Sequence, residues 1–215
     1  MSASHRTAAA QASAGDDRSD GGSATTSSRP TVRTFFAVEV SPEIHATLVV
    51  LKRELAATGA AVRWVPDEGL HATLKFLGAV PATRLPHVQA ALAAPVGAHP
   101  QMTARVRGLG VFPTPRRPRV VWAGLECPPL AAVAAAVEAA LQPLGFAPEA
   151  RPFRAHITLG RVSSEKGWAR LDDALRAHAT TEFGACRLTE LIAYRSDLRR
   201  GGSVYTKLWT IPFGG

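Results

Sequence analysis

Leu70-His71-Ala72-Thr73-Leu74-Lys75-Phe76-Leu77 and Ala155-His156-Ile157-Thr158-Leu159 share one shape, His-x-Thr-Leu, with apolar residues on alternate positions. That alternation reads as a half-buried β-strand. On a strand, side chains two residues apart point to the same face, at ~3.3 Å rise per residue. Each run therefore presents an imidazole and a hydroxyl side by side, roughly 7 Å apart along the strand. If the two strands face each other, they enclose two histidines and two threonines.

His-x-Thr is a short pattern, and it occurs five times in a chain with seven histidines: at His5 in the apolar-poor N-terminal stretch, and at His45, His71, His156 and His178. Composition alone predicts about half a match. Local structure separates the last four. His45-Ala46-Thr47 falls in a helical pattern opened by Ser41-Pro42-Glu43, with Ile44, Leu48, Leu51 and Leu55 at helical spacing. On a helix His45 and Thr47 diverge and form no joint site. His178-Ala179-Thr180 ends the helical run Trp168–Ala177, where an imidazolium suits the carbonyl end. Only His71 and His156 lie in runs of strand type.

Around these strands, Val32–Val40 reads as a first strand. Val62–Val65 and Leu70–Leu77 read as a pair of strands, Ala82–Ala94 as a helix, and Met102–Leu109 and Val120–Leu125 as strands flanking a Pro/Arg loop at Phe112–Pro118. An alanine-rich helix follows from Pro129 to Leu144. Then come a strand at Ala155–Val162, the Trp168–Ala177 helix, and strands at Glu190–Arg195 and Val204–Thr210. Strand–helix–strand–strand followed by a second, similar set predicts an α+β fold with two lobes, one His-x-Thr strand in each half.

Strand parity also sorts the basic neighbours. It places Arg154 with His156 and Thr158, and Lys75 with His71 and Thr73. Arg161 falls on the opposite face unless Gly160 ends or bulges the strand.

The chain has 215 residues and a net charge of +8. The first 31 residues contain no aromatic, Leu or Ile, and no Val before Val32, and their charges cancel. Such a segment is expected to be a disordered tail on a single domain spanning residues 32–215. The basic excess is largely arginine, in stretches around Arg116, Arg117 and Arg119, around Arg151, Arg154 and Arg161, and at Arg199 and Arg200. Guanidinium groups fork phosphate, so a polyanion such as nucleic acid is an expected partner. Cys127 and Cys186 are too few for a zinc site or a disulfide framework, and no segment has the length and apolarity of a membrane span. A cytoplasmic location without membrane attachment follows as the expectation.

Longer stretches carry a resemblance. His71-Ala72-Thr73-Leu74-Lys75-Phe76-Leu77-Gly78 and Phe153-Arg154-Ala155-His156-Ile157-Thr158-Leu159-Gly160-Arg161 resemble the paired signatures of the 2H phosphoesterases. The nearest branch is the RNA 2′,3′-cyclic phosphodiesterase (LigT-like, ThpR-like) group. Arg33-Thr34-Phe35-Phe36-Ala37, the Phe112–Trp122 stretch, Ser196-Asp197-Leu198 and Tyr205 extend it over Val32 to Phe213. One departure is Ala155, where such proteins often carry proline.

The resemblance implies a bilobal fold: two pseudo-symmetric lobes of antiparallel sheet, with outer helices and a central cleft. It implies a monomer that uses no cofactor or metal and opens 2′,3′-cyclic phosphate at RNA ends or on nucleotides to a 2′-phosphomonoester. His71 would be proton donor and His156 acceptor, although the symmetry of the two runs leaves that direction open. Thr73 and Thr158 would bind the non-bridging oxygens. Arg161 is favoured as the phosphate-contacting arginine, with Arg154 second. Phe35 or Phe36 is a candidate to stack a base.

The same site suits other reactions: 2′-5′ RNA ligation, 2′-5′ phosphodiester cleavage or hydrolysis of a small cyclic nucleotide. A non-catalytic nucleotide-binding module would not need both imidazoles. A metallohydrolase would need carboxylates at ligand spacing, and neither histidine has one.

Overall fold

The computed structural model describes residues 30–199 and 202–214. The expected tail lies outside these residues up to residue 29, while Thr31 already belongs to the first strand, β1 (Thr31–Val38).

After β1 come α1 (Pro42–Ala56), β2 (Val62–Trp64), β3 (Ala72–Pro81), α2 (Leu85–Gly97), β4 (Met102–Thr114) and β5 (Arg117–Glu126). The chain continues through α3 (Leu130–Leu141), β6 (His156–Val162), α4 (Trp168–Ala177), β7 (Glu182–Leu188), β8 (Glu190–Arg199) and β9 (Gly202–Pro212). The strands form a four-stranded sheet, in the order β3-β1-β8-β9, and a five-stranded sheet, in the order β2-β6-β5-β4-β7. Every ladder between them is antiparallel. The fold is thus α+β with two lobes, and each sheet holds one His-x-Thr strand.

The lobes are not the two halves of the chain, as the repeated element order suggests. β8 and β9 return from the second half to complete the sheet of β1 and β3. β2 leaves the first half to pair with β6, so β2 and β3 are not a hairpin. Helices cross as well: α1 follows β1 but packs on β2 and β7, while α3 follows β5 and packs on β3. Each lobe is therefore tied to the other by several strands of chain. Under a pseudo-two-fold relation β1 matches β5, β3 matches β6, β8 matches β4 and β9 matches β7.

The helices form for the reasons their sequences state. α1 begins with Pro42 in its first turn and Glu43 beside it, and buries Ile44, Leu48, Leu51 and Leu55. α3 buries Leu130, Val133, Ala134, Val137 and Leu141 and packs on α2, which buries Val88, Leu92 and Val96. Each such Leu or Val contributes about 1.5–3 kcal/mol through removal from water. A second, small cluster of Phe35, Ala37, Ile192 and Tyr194 lies on the opposite face of the four-stranded sheet.

Five strands differ from expectation. The β4–β5 hairpin extends far into the Pro/Arg stretch, with Pro113 opposite Pro118 and Thr114 opposite Arg117. β8 and β9 run longer than their apolar cores. β7 is an edge strand without a clear alternation, burying only Cys186 and Leu188.

Candidate active site

β3 and β6 touch across the gap between the sheets. Both carry the same irregularity. On β3, Thr73 lies opposite Ala37 and Lys75 opposite Phe36, so Leu74 is an extra residue. On β6, Thr158 lies opposite Trp122 and Gly160 opposite Val121, so Leu159 is the extra residue. A bulge of one residue resets the side-chain alternation. Both leucines are buried, and the residue after each bulge turns to the core face.

This reset corrects one expectation and decides another. Lys75 does not share a face with His71 and Thr73. It is 2% exposed, pairs with Glu138 Oε2 at 2.7 Å and donates to the Ala147 carbonyl at 2.8 Å. Arg161, opposite Val120, shares the face of Trp122 and Thr158. Gly160 makes the second bulge possible: a Cβ there would lie 2.5 Å from Val62 Cγ1 and 2.9 Å from Trp64. Phe76, opposite Phe35, occupies on β3 the position that Arg161 occupies on β6.

The two imidazoles have different surroundings. His71 sits just before β3 in an aromatic cage. It stacks on Phe35 at 4.9 Å and on Tyr194 at 5.6 Å, with the Tyr205 edge at 5.1 Å. Neither ring nitrogen has a hydrogen-bond partner among the described residues. Burial pushes its pKa down to about 4, against the opposing charge of Glu39. Burial alone would raise the Glu39 carboxyl. Hydrogen bonds from Lys207, at 2.7 Å, and from the Tyr194 hydroxyl more than offset that and hold it below its usual range.

His156 is held by a hydrogen bond. Its Nδ1 lies 2.7 Å from the Arg154 carbonyl, which can only accept, so Nδ1 carries the proton and Nε2 is left for chemistry. Phe112 meets the ring edge-on at 5.0 Å. Burial lowers its pKa. The Arg154 carbonyl opposes that shift, and the nearby Arg161 charge adds to it.

Thr73 and Thr158 are half-buried, and neither hydroxyl has a protein partner among the described residues. Arg154 is exposed and contributes its backbone carbonyl. Phe35 and Phe36 are fully buried, so neither can stack a base; Phe76, 43% exposed and packed on Phe35 at 5.1 Å, is the accessible aromatic. Of the other His-x-Thr matches, His5 lies outside the described residues and two lie away from the site. His45 is inside α1 with Nε2 2.8 Å from the Asp67 carbonyl, and His178 caps the end of α4 beside Thr181 Oγ1 at 3.2 Å. Among the described residues no group of three or more His, Cys, Asp or Glu could hold a metal ion, and no helix is long and apolar enough to cross a membrane.

Residues 38–122 and 126–205 match the family described as LigT like Phosphoesterase. The chain belongs to that family. Relatives of this LigT-like phosphoesterase include the RNA 2′,3′-cyclic phosphodiesterase of Methanothermobacter thermautotrophicus, 31% identical over 82% of this chain and 96% of that protein. That of Archaeoglobus fulgidus is 33% identical over 82% and 98%. Among solved structures, TT0787 of Thermus thermophilus superposes with a TM-score of 0.72 at 29% identity, covering 85% of this chain and 98% of that one. LigT of E. coli, crystallised with 3′-AMP, superposes with a TM-score of 0.69 at 28% identity, covering 85% and 98%. The two-sheet LigT-like architecture thus holds for this phosphoesterase.

Proposed function

We propose that this phosphoesterase opens the 2′,3′-cyclic phosphate at an RNA end to a 2′-phosphomonoester by metal-independent acid–base catalysis. The activity named for its relatives supports the substrate class. The observation that carries the mechanism is the pair of His-x-Thr strands with matched bulges at Leu74 and Leu159, one on each sheet and in contact.

Water attacks phosphorus while one imidazole takes its proton. The bond from phosphorus to the 3′ oxygen breaks, and the other imidazole protonates that oxygen. Thr73 and Thr158 donate their free hydroxyls to the non-bridging oxygens, and Arg161 stabilises the charge that develops on them. Arg154 acts through its backbone, holding the His156 tautomer. Phe76 offers its face to the terminal base, a contact worth about 1–3 kcal/mol.

Family resemblance makes His71 the donor. The resting ionisation of His71 does not supply the proton a donor needs. His71, held at about 4, is neutral at pH 7 and ready to accept. It becomes a donor only if the bound phosphate, together with Glu39, draws a proton onto it. The domain of residues 32–215 acts in this reading as one bilobal unit, since strands of both halves build each sheet.

The test is product analysis in EDTA with an RNA ending in 2′,3′-cyclic phosphate, alongside 2′-5′-linked and small cyclic nucleotides. A 2′-monoester is expected. His71→Ala and His156→Ala should each lose about 10²-fold or more, and His45→Ala should lose nothing. Full activity in either of the first two variants, strict metal dependence, or preference for another substrate would overturn the proposal.

A further inference from the structure

The five-stranded sheet has a strand that the pseudo-two-fold does not supply to the other lobe. β2 lies outside β6, and its central residue, Arg63, stands directly opposite Arg161. Residues paired across an antiparallel ladder share a face. Arg63 therefore lies on the face of Arg161, Thr158 and His156, and both arginines are exposed.

Two like charges directly opposite one another destabilise a ladder. Neither guanidinium has an ion-pair or side-chain hydrogen-bond partner among the described residues. The arrangement cannot relax by a register slip, because Val62 and Trp64 are seated over Gly160 on the other face, where no Cβ would fit. Two unpaired guanidinium forks on one face beside the phosphate site form a ready anion-binding pair.

We propose that Arg63 binds the phosphodiester on the 5′ side of the terminal nucleotide, one phosphate removed from the cyclic phosphate served by Arg161. This rests on the function proposed above. Arg63 lies one strand farther out than Arg161, about 4.7–4.9 Å along the sheet, at its open β2 edge. A nucleoside 2′,3′-cyclic phosphate has no group to place there, whereas an oligonucleotide does. Arg63 is thus a specificity residue that selects RNA ends over free nucleotides.

The experiment compares a nucleoside 2′,3′-cyclic phosphate with a short oligoribonucleotide ending in the same group, on the wild-type protein and on Arg63→Gln and Arg63→Lys. Arg63→Gln should raise KM for the oligonucleotide about tenfold or more, the scale of one lost charge-assisted contact. Its kcat, and all constants for the nucleoside, should stay within twofold. The slope of log(kcat/KM) against log[salt] on the oligonucleotide should become shallower by about 0.7, the value for one phosphate contact on a single strand. Arg63→Lys should recover part of the affinity. Equal effects on both substrates, or none on the oligonucleotide, would overturn this inference and leave the proposed reaction standing. A wild-type protein inactive on both substrates would overturn the proposed reaction and this inference with it.

Discussion

β3 and β6 are the same device built twice and then finished differently. Each carries a histidine, a threonine two residues on and an extra leucine that reverses the alternation. Beyond the bulge, β3 sends Lys75 into the core and Phe76 to the site face, while β6 sends Gly160 to the core and Arg161 to the site face. One side of the gap is therefore aromatic and holds its imidazole by stacking. The other is cationic and holds its imidazole by a hydrogen bond. A cyclic phosphate has two faces to serve at once, one receiving water and one releasing a ribose oxygen. Symmetry supplies the duplicate imidazoles, and the broken symmetry gives them different surroundings.

The largest effect should come from separating the two imidazoles by the step each serves. On an RNA cyclic phosphate, His71→Ala and His156→Ala should both lose about 10²–10⁴-fold. On a diester with an activated aryl leaving group, which departs without protonation, the variant lacking the acid should recover and the variant lacking the base should not. Given that His71 rests neutral, recovery is expected for His156→Ala. Recovery of His71→Ala instead would show that the bound phosphate draws a proton onto His71.

The His-x-Thr strands, the helices that frame them and the placement of His45 and His178 on helices were all legible in the sequence. Period-two and helical patterns, a proline at a helix start and an apolar flank are local signals. What stayed hidden is non-local. The swap of β2 into the opposite sheet depends on Gly160 admitting Val62 and Trp64, a contact between residues nearly a hundred positions apart. Bulges are equally silent, because Leu74 and Leu159 read as ordinary apolar strand residues. Parity therefore sent Lys75 to the site and left Arg161 depending on an irregularity at Gly160. Arg63 could have been found only after β2 was paired with β6.

Lys75 gives a direct test of the bulge on β3. Its ammonium is buried against Glu138 and the Ala147 carbonyl, so Lys75→Met should act on stability and spare the chemistry. Breaking a buried pair from one side costs several kcal/mol. Glu138 is 25% exposed and retains access to water, which reduces the expected loss to about 2–3 kcal/mol. For a domain of this size that corresponds to roughly 5–10 °C in Tm. The kcat/KM at 25 °C should stay within about twofold. A large loss of activity at unchanged Tm would place Lys75 at the phosphate and remove the bulge from the comparison.

The smallest effect concerns pH. Because the folded protein holds His71 near 4, below the ordinary value of 6.5, the unfolded chain takes up the proton first as pH falls. The stabilisation from a neutral His71 is therefore complete above about pH 6.5 and is lost on descending toward pH 4. By pH 5 the loss should be about 2 kcal/mol. His71→Phe keeps a ring between Phe35 and Tyr194 and has nothing to titrate, so its stability should fall less steeply over that window. The imidazole resonances of the wild-type protein provide the direct reading: His71 should titrate close to 4 when free and move upward on adding phosphate. His156 is also lowered, by burial and by the Arg161 charge. If His71 titrates at or above 6.5 in the free protein, the aromatic cage does not hold it neutral. The donor role implied by the resemblance would then stand.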